Sequence, residues 1–266
     1  MRALFDSPSW VISSFLIVVP CILISLWILR IVRRRFSIKE LKKSHDVVGF
    51  TFSIVGVLYS VILGFTVINA QDQYNVMLQT IHTEAILLAD LYQDSAYFSH
   101  EESVAIRSSL RQYIEHVLKE EWWIHEKRAI NAHSRTFITD IWDSYYNVQL
   151  SNDKVKIWYS ESIAKLNNFL NARLARQFNS WVHLGTMMWS LLIVGAIIVI
   201  AFMFFFGLES MRSHMVLTAL LTGYLSFMLY LVYTLDNAFA GPLGLKPTAL
   251  EQVYNLFNEW DQDAPS

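Results

Sequence analysis

Cysteine is almost missing from this chain: Cys21 stands alone. An intrachain disulfide is therefore excluded, and so is any zinc or iron–sulfur site that needs several thiolates. Cys21 falls inside an apolar run, where a thiol behaves as a small hydrophobe rather than a nucleophile. Charge is scarce too. Only 17% of the 266 residues are charged against 54% hydrophobic, where a soluble domain carries about a quarter charged. The mean hydropathy of +0.33 is positive yet modest, so long apolar runs must be diluted by a polar stretch. A formal charge of −2 gives no electrostatic basis for nucleic-acid binding. Catalytic signatures are absent as well. There is no Walker-type loop, no Gly-x-Gly-x-x-Gly, no His-Glu-x-x-His and no Gly-x-Ser-x-Gly, which argues for a non-enzyme without cofactor or metal.

Four apolar runs reach the about 20 helical residues needed to cross a bilayer. They extend from Trp10 to about Val32, from Val47 to about Ala70, from Trp181 to Phe206 and from Met215 to Leu235. Pro20 predicts a kink in the first. No Ala-x-Ala cleavage site follows that run, so it is read as a retained anchor. The connection between spans one and two carries Arg30, Arg33, Arg34, Arg35, Lys39, Lys42 and Lys43. The N-terminal flank has only Arg2, and the C-terminal end has Lys246 against Glu251, Glu259, Asp261 and Asp263. By the positive-inside rule the basic connection is cytoplasmic. Both termini and the segment between spans two and three are then expected on the outer side of the cell (inner) membrane. Ser37 ahead of Glu40 predicts a short helix in the connection, lying on the anionic leaflet.

Residues 71–180 hold the polar half of the chain and contain neither Gly nor Pro, which predicts near-continuous helix. Helical stripes recur: Tyr74, Met77, Ile81, Leu88 and Leu91, without a break from span two; then Ile106, Leu110, Tyr113 and Val117, opened by a Ser99-x-x-Glu102 capping box. Phe137, Ile141, Trp142, Tyr145 and Val148 form a third, and Ile163, Leu166, Leu170 and Leu174 a fourth that runs on toward span three. The expected fold is all-α: four transmembrane helices with an extramembrane helical bundle between the second and third. The division reads as 1–70 for the first transmembrane pair, 71–180 for the bundle, 181–235 for the second hairpin and 236–266 for an acidic C-terminal tail.

Polar residues interrupt the stripes. Glu84 sits between Ile81 and Leu88, and Glu120 or Glu121 falls where the second stripe should continue. A buried carboxylate needs a partner, and Arg111, Arg173 and Arg176 are the candidate cations. One reading is an ion-pair network that sets helix register. The other is a cation site of Glu84, Glu121 and His125, the last two four apart on one helix face.

Several short patterns occur in order. His45-Asp46-x-x-Gly49 opens span two, followed by Gly56-Val57-Leu58-Tyr59 and Leu63-Gly64-Phe65. Glu84-Ala85 with Leu88 and Leu91-Tyr92 come next, then Tyr113 ahead of Glu121-Trp122, Arg173-x-x-Arg176, and Leu235-Asp236-x-x-Phe239-x-Gly241. Together, over about residues 45 to 253, they resemble the bestrophin-like family of bacterial integral membrane proteins. The chain departs from that pattern at Asn237-Ala238 and Ser180-Trp181, where the family tends to have proline. The resemblance implies a membrane protein and, through the family's name, an anion channel. Bestrophins proper keep their large domains cytoplasmic, whereas the charge bias of this chain puts the domain outside.

Two spans offer candidate functional faces. Gly49, Ser53, Gly56, Ser60 and Gly64 share one face of span two. Small residues at that spacing pack helices closely, within the protomer or between copies, or line a narrow pore. Thr218, Thr222 and Ser226 put hydroxyls along span four, for a neighbouring helix, their own backbone or a pore. His183 and Asp236 lie at the outer ends of spans three and four and are expected to meet. No Asp, Glu, Lys, Arg or His lies in the interior of a span, which argues against proton relays and ion-coupled transport. Two functions remain: a homo-oligomeric passive channel conducting an inorganic ion, or a non-conducting envelope scaffold or sensor whose bundle binds a partner.

Overall fold

Lipid offers no hydrogen-bond partner for a bare backbone, so an apolar run in a membrane must satisfy its N–H and C=O groups locally, as helix. The computed structural model describes residues 9–122, 134–240 and 244–262, and in it the four apolar runs form four helices long and apolar enough to span a membrane. The elements, in chain order, are α1 Ser9–Arg35, α2 Ile38–Lys43, α3 His45–Asp94, α4 His100–His116, α5 Ser134–Tyr146, α6 Asp153–Asn179, α7 Thr186–Phe204, α8 Met211–Asp236 and α9 Thr248–Gln262. Among the described residues there is no strand, and the fold is all-α with a helical insert between the second and third spans. Pro20 lies inside α1, which continues to Arg35. Span three begins later than its apolar run: Trp181–Gly185 are not helical, and Gly185 serves as N-cap. The fourth stripe therefore does not run on into span three.

The chain divides into two compact units, residues 1–74 with 183–244, and residues 75–182 with 245–266. In the first, α1 packs along α8, and α7 touches both. Tyr59 and Leu63 of α3 join Leu192, Ala196 and Val199 of α7 and Leu225 and Val232 of α8 in one core. Gly195 makes that packing possible. A Cβ there would stand 2.5 Å from the Tyr59 ring, whose hydroxyl donates to the Leu192 carbonyl at 3.0 Å. The outward faces are apolar: Leu16 is 76% exposed and Phe65 70%, the polarity of a surface solvated by lipid.

The second unit encloses a core of its own. Ile81, Leu88 and Leu91 of α3 are buried, as are Ile106, Leu110 and Tyr113 of α4, Ile141 and Tyr145 of α5, and Leu166 and Phe169 of α6. Ser99 and Glu102 form the capping box that starts α4. On α6 the buried face is Ser162, Leu166, Phe169, Arg173 and Arg176 rather than the leucine stripe, and Leu174 is exposed. Leu166 of the stripe is buried, and Arg173 and Arg176 join it on the inward face. Within the segment read as an acidic tail, α9 buries Leu250, Val253 and Phe257, and Phe257 stacks on Tyr92 with centroids 3.9 Å apart.

Candidate functional site

Among the described residues, the small-residue face of span two is largely unfilled within the protomer. Around Gly56 and Gly64 no atom lies within 4 Å of where a Cβ would stand, and Gly49 meets only Phe206, at 3.9 Å. Ser53 and Ser60 are exposed. Their hydroxyls donate to the Gly49 and Val57 carbonyls at 2.9 and 2.8 Å, as hydroxyls on helices without polar neighbours do. Span four is the reverse case. Thr218, Thr222 and Ser226 are buried, Thr218 donates to the His214 carbonyl at 2.8 Å, and the adjacent Gly223 lets Ile22 approach closely. The two candidate faces are thus not brought together: one is interior, the other open.

In the second unit four charges meet inside the bundle. Arg176 of α6 donates from Nε to Glu84 Oε2 at 2.6 Å, and from Nη2 to Glu84 Oε1 at 3.0 Å and to Glu121 Oε1 at 2.8 Å. Arg173 donates to Glu121 Oε2 at 3.0 Å, and the Tyr113 hydroxyl donates to Glu84 Oε1 at 2.6 Å. Glu84, Glu121, Tyr113 and Arg176 are fully buried. Two carboxylates and two guanidiniums cancel, which is how such burial is tolerated. Burial pushes the Glu121 carboxyl up, but the Arg176 and Arg173 guanidiniums override it and hold it at about 2. Burial, then the Glu84 and Glu121 charges, push the Tyr113 hydroxyl well above its ordinary range, so it stays a donor. A π-helical turn over Val117–Glu121 presents Glu121 inward. Glu120 instead faces outward, with its carboxylate 3.5 Å from His116 Nδ1.

Arg111 stands apart from this cluster. It donates to Asp261 at 2.7 Å and Asn258 at 2.5 Å on α9, and to the Tyr92 hydroxyl at 3.2 Å. His125, the third member of the sequence's cation site, lies outside the described residues. Among the described residues no group of three or more His, Cys, Asp and Glu is placed to hold a metal ion.

Asp236 ends span four and ties down the start of span three. Its carboxylate accepts from the Leu184 N–H at 2.6 Å and from the Trp189 indole at 3.0 Å. It thereby ties the residue before the Gly185 N-cap, and the first turn of span three, to the end of span four. His183 Nδ1 meets the Asp236 carbonyl oxygen at 2.6 Å, and the carboxylate only at 3.9 Å. Sequence reasoning missed Trp189 and the Tyr59–Gly195 contact. A lone Gly within span three was the available signal for the latter.

Residues 16–250 match the profile of the bestrophin-like domain. No curated protein sequence matches the chain significantly. Among solved structures, a bacterial bestrophin homologue from Klebsiella pneumoniae is similar to this chain at a TM-score of 0.69 and 13% identity, over 93% of this chain and 100% of that one. Two single-substitution variants of that homologue each give a TM-score of 0.71 at 13% identity; the match covers 91% and 92% of this chain and 98% of each of theirs. At this identity the likeness is one of fold.

Proposed function

This chain belongs to the bestrophin-like family, and from that premise we propose that it is a homo-oligomeric passive ion channel, with span two of each copy turned toward the symmetry axis. The chain is a multi-pass membrane protein, and the observation that carries the proposal is the open face of Gly49, Ser53, Gly56, Ser60 and Gly64. Helix association in lipid depends on close packing between small residues, and among the described residues of the protomer only Phe206 reaches the glycines of this face, at Gly49. The Ser53 and Ser60 hydroxyls give it weak polarity. Spans without interior charge suit passive conduction of an inorganic ion better than coupled transport. Purified protein should form a ring of more than two copies and release ions from liposomes, and Gly56→Trp should abolish the flux while the ring persists. A monomer, or a closed two-fold dimer without flux, refutes the channel.

One observation favours the second reading, a scaffold or sensor. The bundle carries an open polar cleft lined by Ser99, Glu102, Ser144, Asn147 and Gln149, a surface for a partner or ligand. Retained partner binding by a flux-dead protein would select it. In both readings the basic connection is cytoplasmic and the bundle and termini are outside. Impermeant maleimide labelling in a Cys21→Ser background tests this. Asn152→Cys should react in intact cells and Lys39→Cys should not; the opposite pattern reverses the orientation and leaves conduction open.

A further inference from the structure

At one end of the first unit four elements converge. The Phe36 and Phe205 rings meet edge to face at 6.0 Å, as do His45 and Phe206 at 5.4 Å. Gly207 of the hairpin lies against the backbone of α2: a Cβ there would stand 2.8 Å from the Lys42 nitrogen. His214 at the start of α8 holds the Met203 carbonyl through Nε2 at 2.8 Å.

The corner is strongly basic and poorly compensated. The stretches 30–46 and 205–214 carry eight Lys and Arg against three Asp and Glu. Two of those acids are committed locally: Glu40 caps α2 at Ser37 and Glu209 pairs with Lys42. Asp46 is exposed. Arg33 is the distinctive residue. Its neighbours Arg34 and Arg35 are exposed, whereas Arg33 is half-buried, and its Nη1 is enclosed with no hydrogen-bond partner among the described residues. His45 Nδ1 and His214 Nδ1 are likewise enclosed and unpartnered. Three elements thus each bring an unsatisfied polar nitrogen to one corner, all of them on side chains that carry or can carry positive charge. Around it, Phe36, Ile38 and Phe205 are exposed, at the end of the membrane-spanning helices.

The geometry points to a binding site for an anionic phospholipid in this corner, with Arg33 gripping the headgroup phosphate. A guanidinium edge suits a phosphate's paired oxygens. The exposed lysines and arginines add the long-range attraction of an anionic leaflet, and the exposed apolar side chains take the acyl-chain boundary. The commitment to lipid rather than free phosphate rests on that apolar rim. The site does not depend on conduction and holds equally for a scaffold.

The test is lipid retention by full-length protein in detergent, read by native mass spectrometry with added phosphatidylglycerol or phosphatidylcholine. Wild type should retain phosphatidylglycerol selectively, and Arg33→Gln should lose about tenfold in retention. Lys39→Gln on the exposed surface should lose no more than about threefold, and that part should vanish in high salt. Arg33→Lys keeps the charge without the fork and should bind several-fold less tightly than wild type; it serves where Arg33→Gln fails to fold. Equal retention of the two lipids overturns the proposal, as does a folded Arg33 variant that retains phosphatidylglycerol like wild type. Displacement of phosphatidylglycerol by millimolar inorganic phosphate overturns the assignment to lipid.

Discussion

Replacing Glu84 by glutamine removes a charge while keeping its volume. Glu84 accepts three bonds inside the bundle, two from Arg176 and one from Tyr113, at 2.6 to 3.0 Å, and its side chain has no exposure. The native cluster is electrically neutral. Glu84→Gln leaves it with one uncompensated buried cation, a change that typically costs about 3–5 kcal/mol. Glu121 still holds Arg176 at 2.8 Å, so the lower end, about 3 kcal/mol, is expected. Arg176→Gln in the same background restores neutrality, leaving the Arg173–Glu121 pair at 3.0 Å. The double variant should therefore cost less than the sum of the singles, by about 2 kcal/mol. Reversible unfolding in mixed micelles, followed by the fluorescence of the nine tryptophans, measures all three. A Glu84→Gln loss under about 1 kcal/mol, or additivity within about 0.5 kcal/mol, would refute the reasoning.

Glu121 predicts a pH dependence with a defined sign. Its carboxyl is held at about 2 against an ordinary 4.5, so its contribution, of order 3 kcal/mol, is complete above pH 4.5 and is lost as pH falls toward 2. Glu121→Gln should flatten that acid limb in the same unfolding assay; an unchanged limb sinks the assignment. Gly195→Ala drives a methyl into the Tyr59 ring and should cost about 1–3 kcal/mol, with Tyr59→Leu recovering part of it in thermal melts. Asp236→Ala strips the acceptor from both the Leu184 N–H and the Trp189 indole. A loss of about 1–3 kcal/mol is expected, and a smaller one for Asp236→Asn, which keeps an acceptor; equal losses would argue against a role for these two hydrogen bonds.

Much of this fold is legible in the order of residue types because a bilayer makes backbone bonding local. A run of about 20 apolar residues must become a helix whatever surrounds it, and residues 71–180, without Gly or Pro, have nothing to interrupt one. The same logic exposed the buried charges, since Glu84 stands at a stripe position between Ile81 and Leu88. Periodicity is silent on partners. It offered Arg111 on the same footing as Arg173 and Arg176, but Arg111 faces α9.

The four spans, the all-α class and the basic connection were determined by the sequence alone, because each depends on composition along a short stretch. Only the tertiary structure decided that α9 closes the bundle over Tyr92, that Arg173 and Arg176 lie on the inward face of α6, and that span four buries its hydroxyls while span two leaves its small face open. These outcomes depend on which surfaces meet across 50 to 170 residues of chain. Packing complementarity and charge compensation decide such meetings, and neither is written in local periodicity.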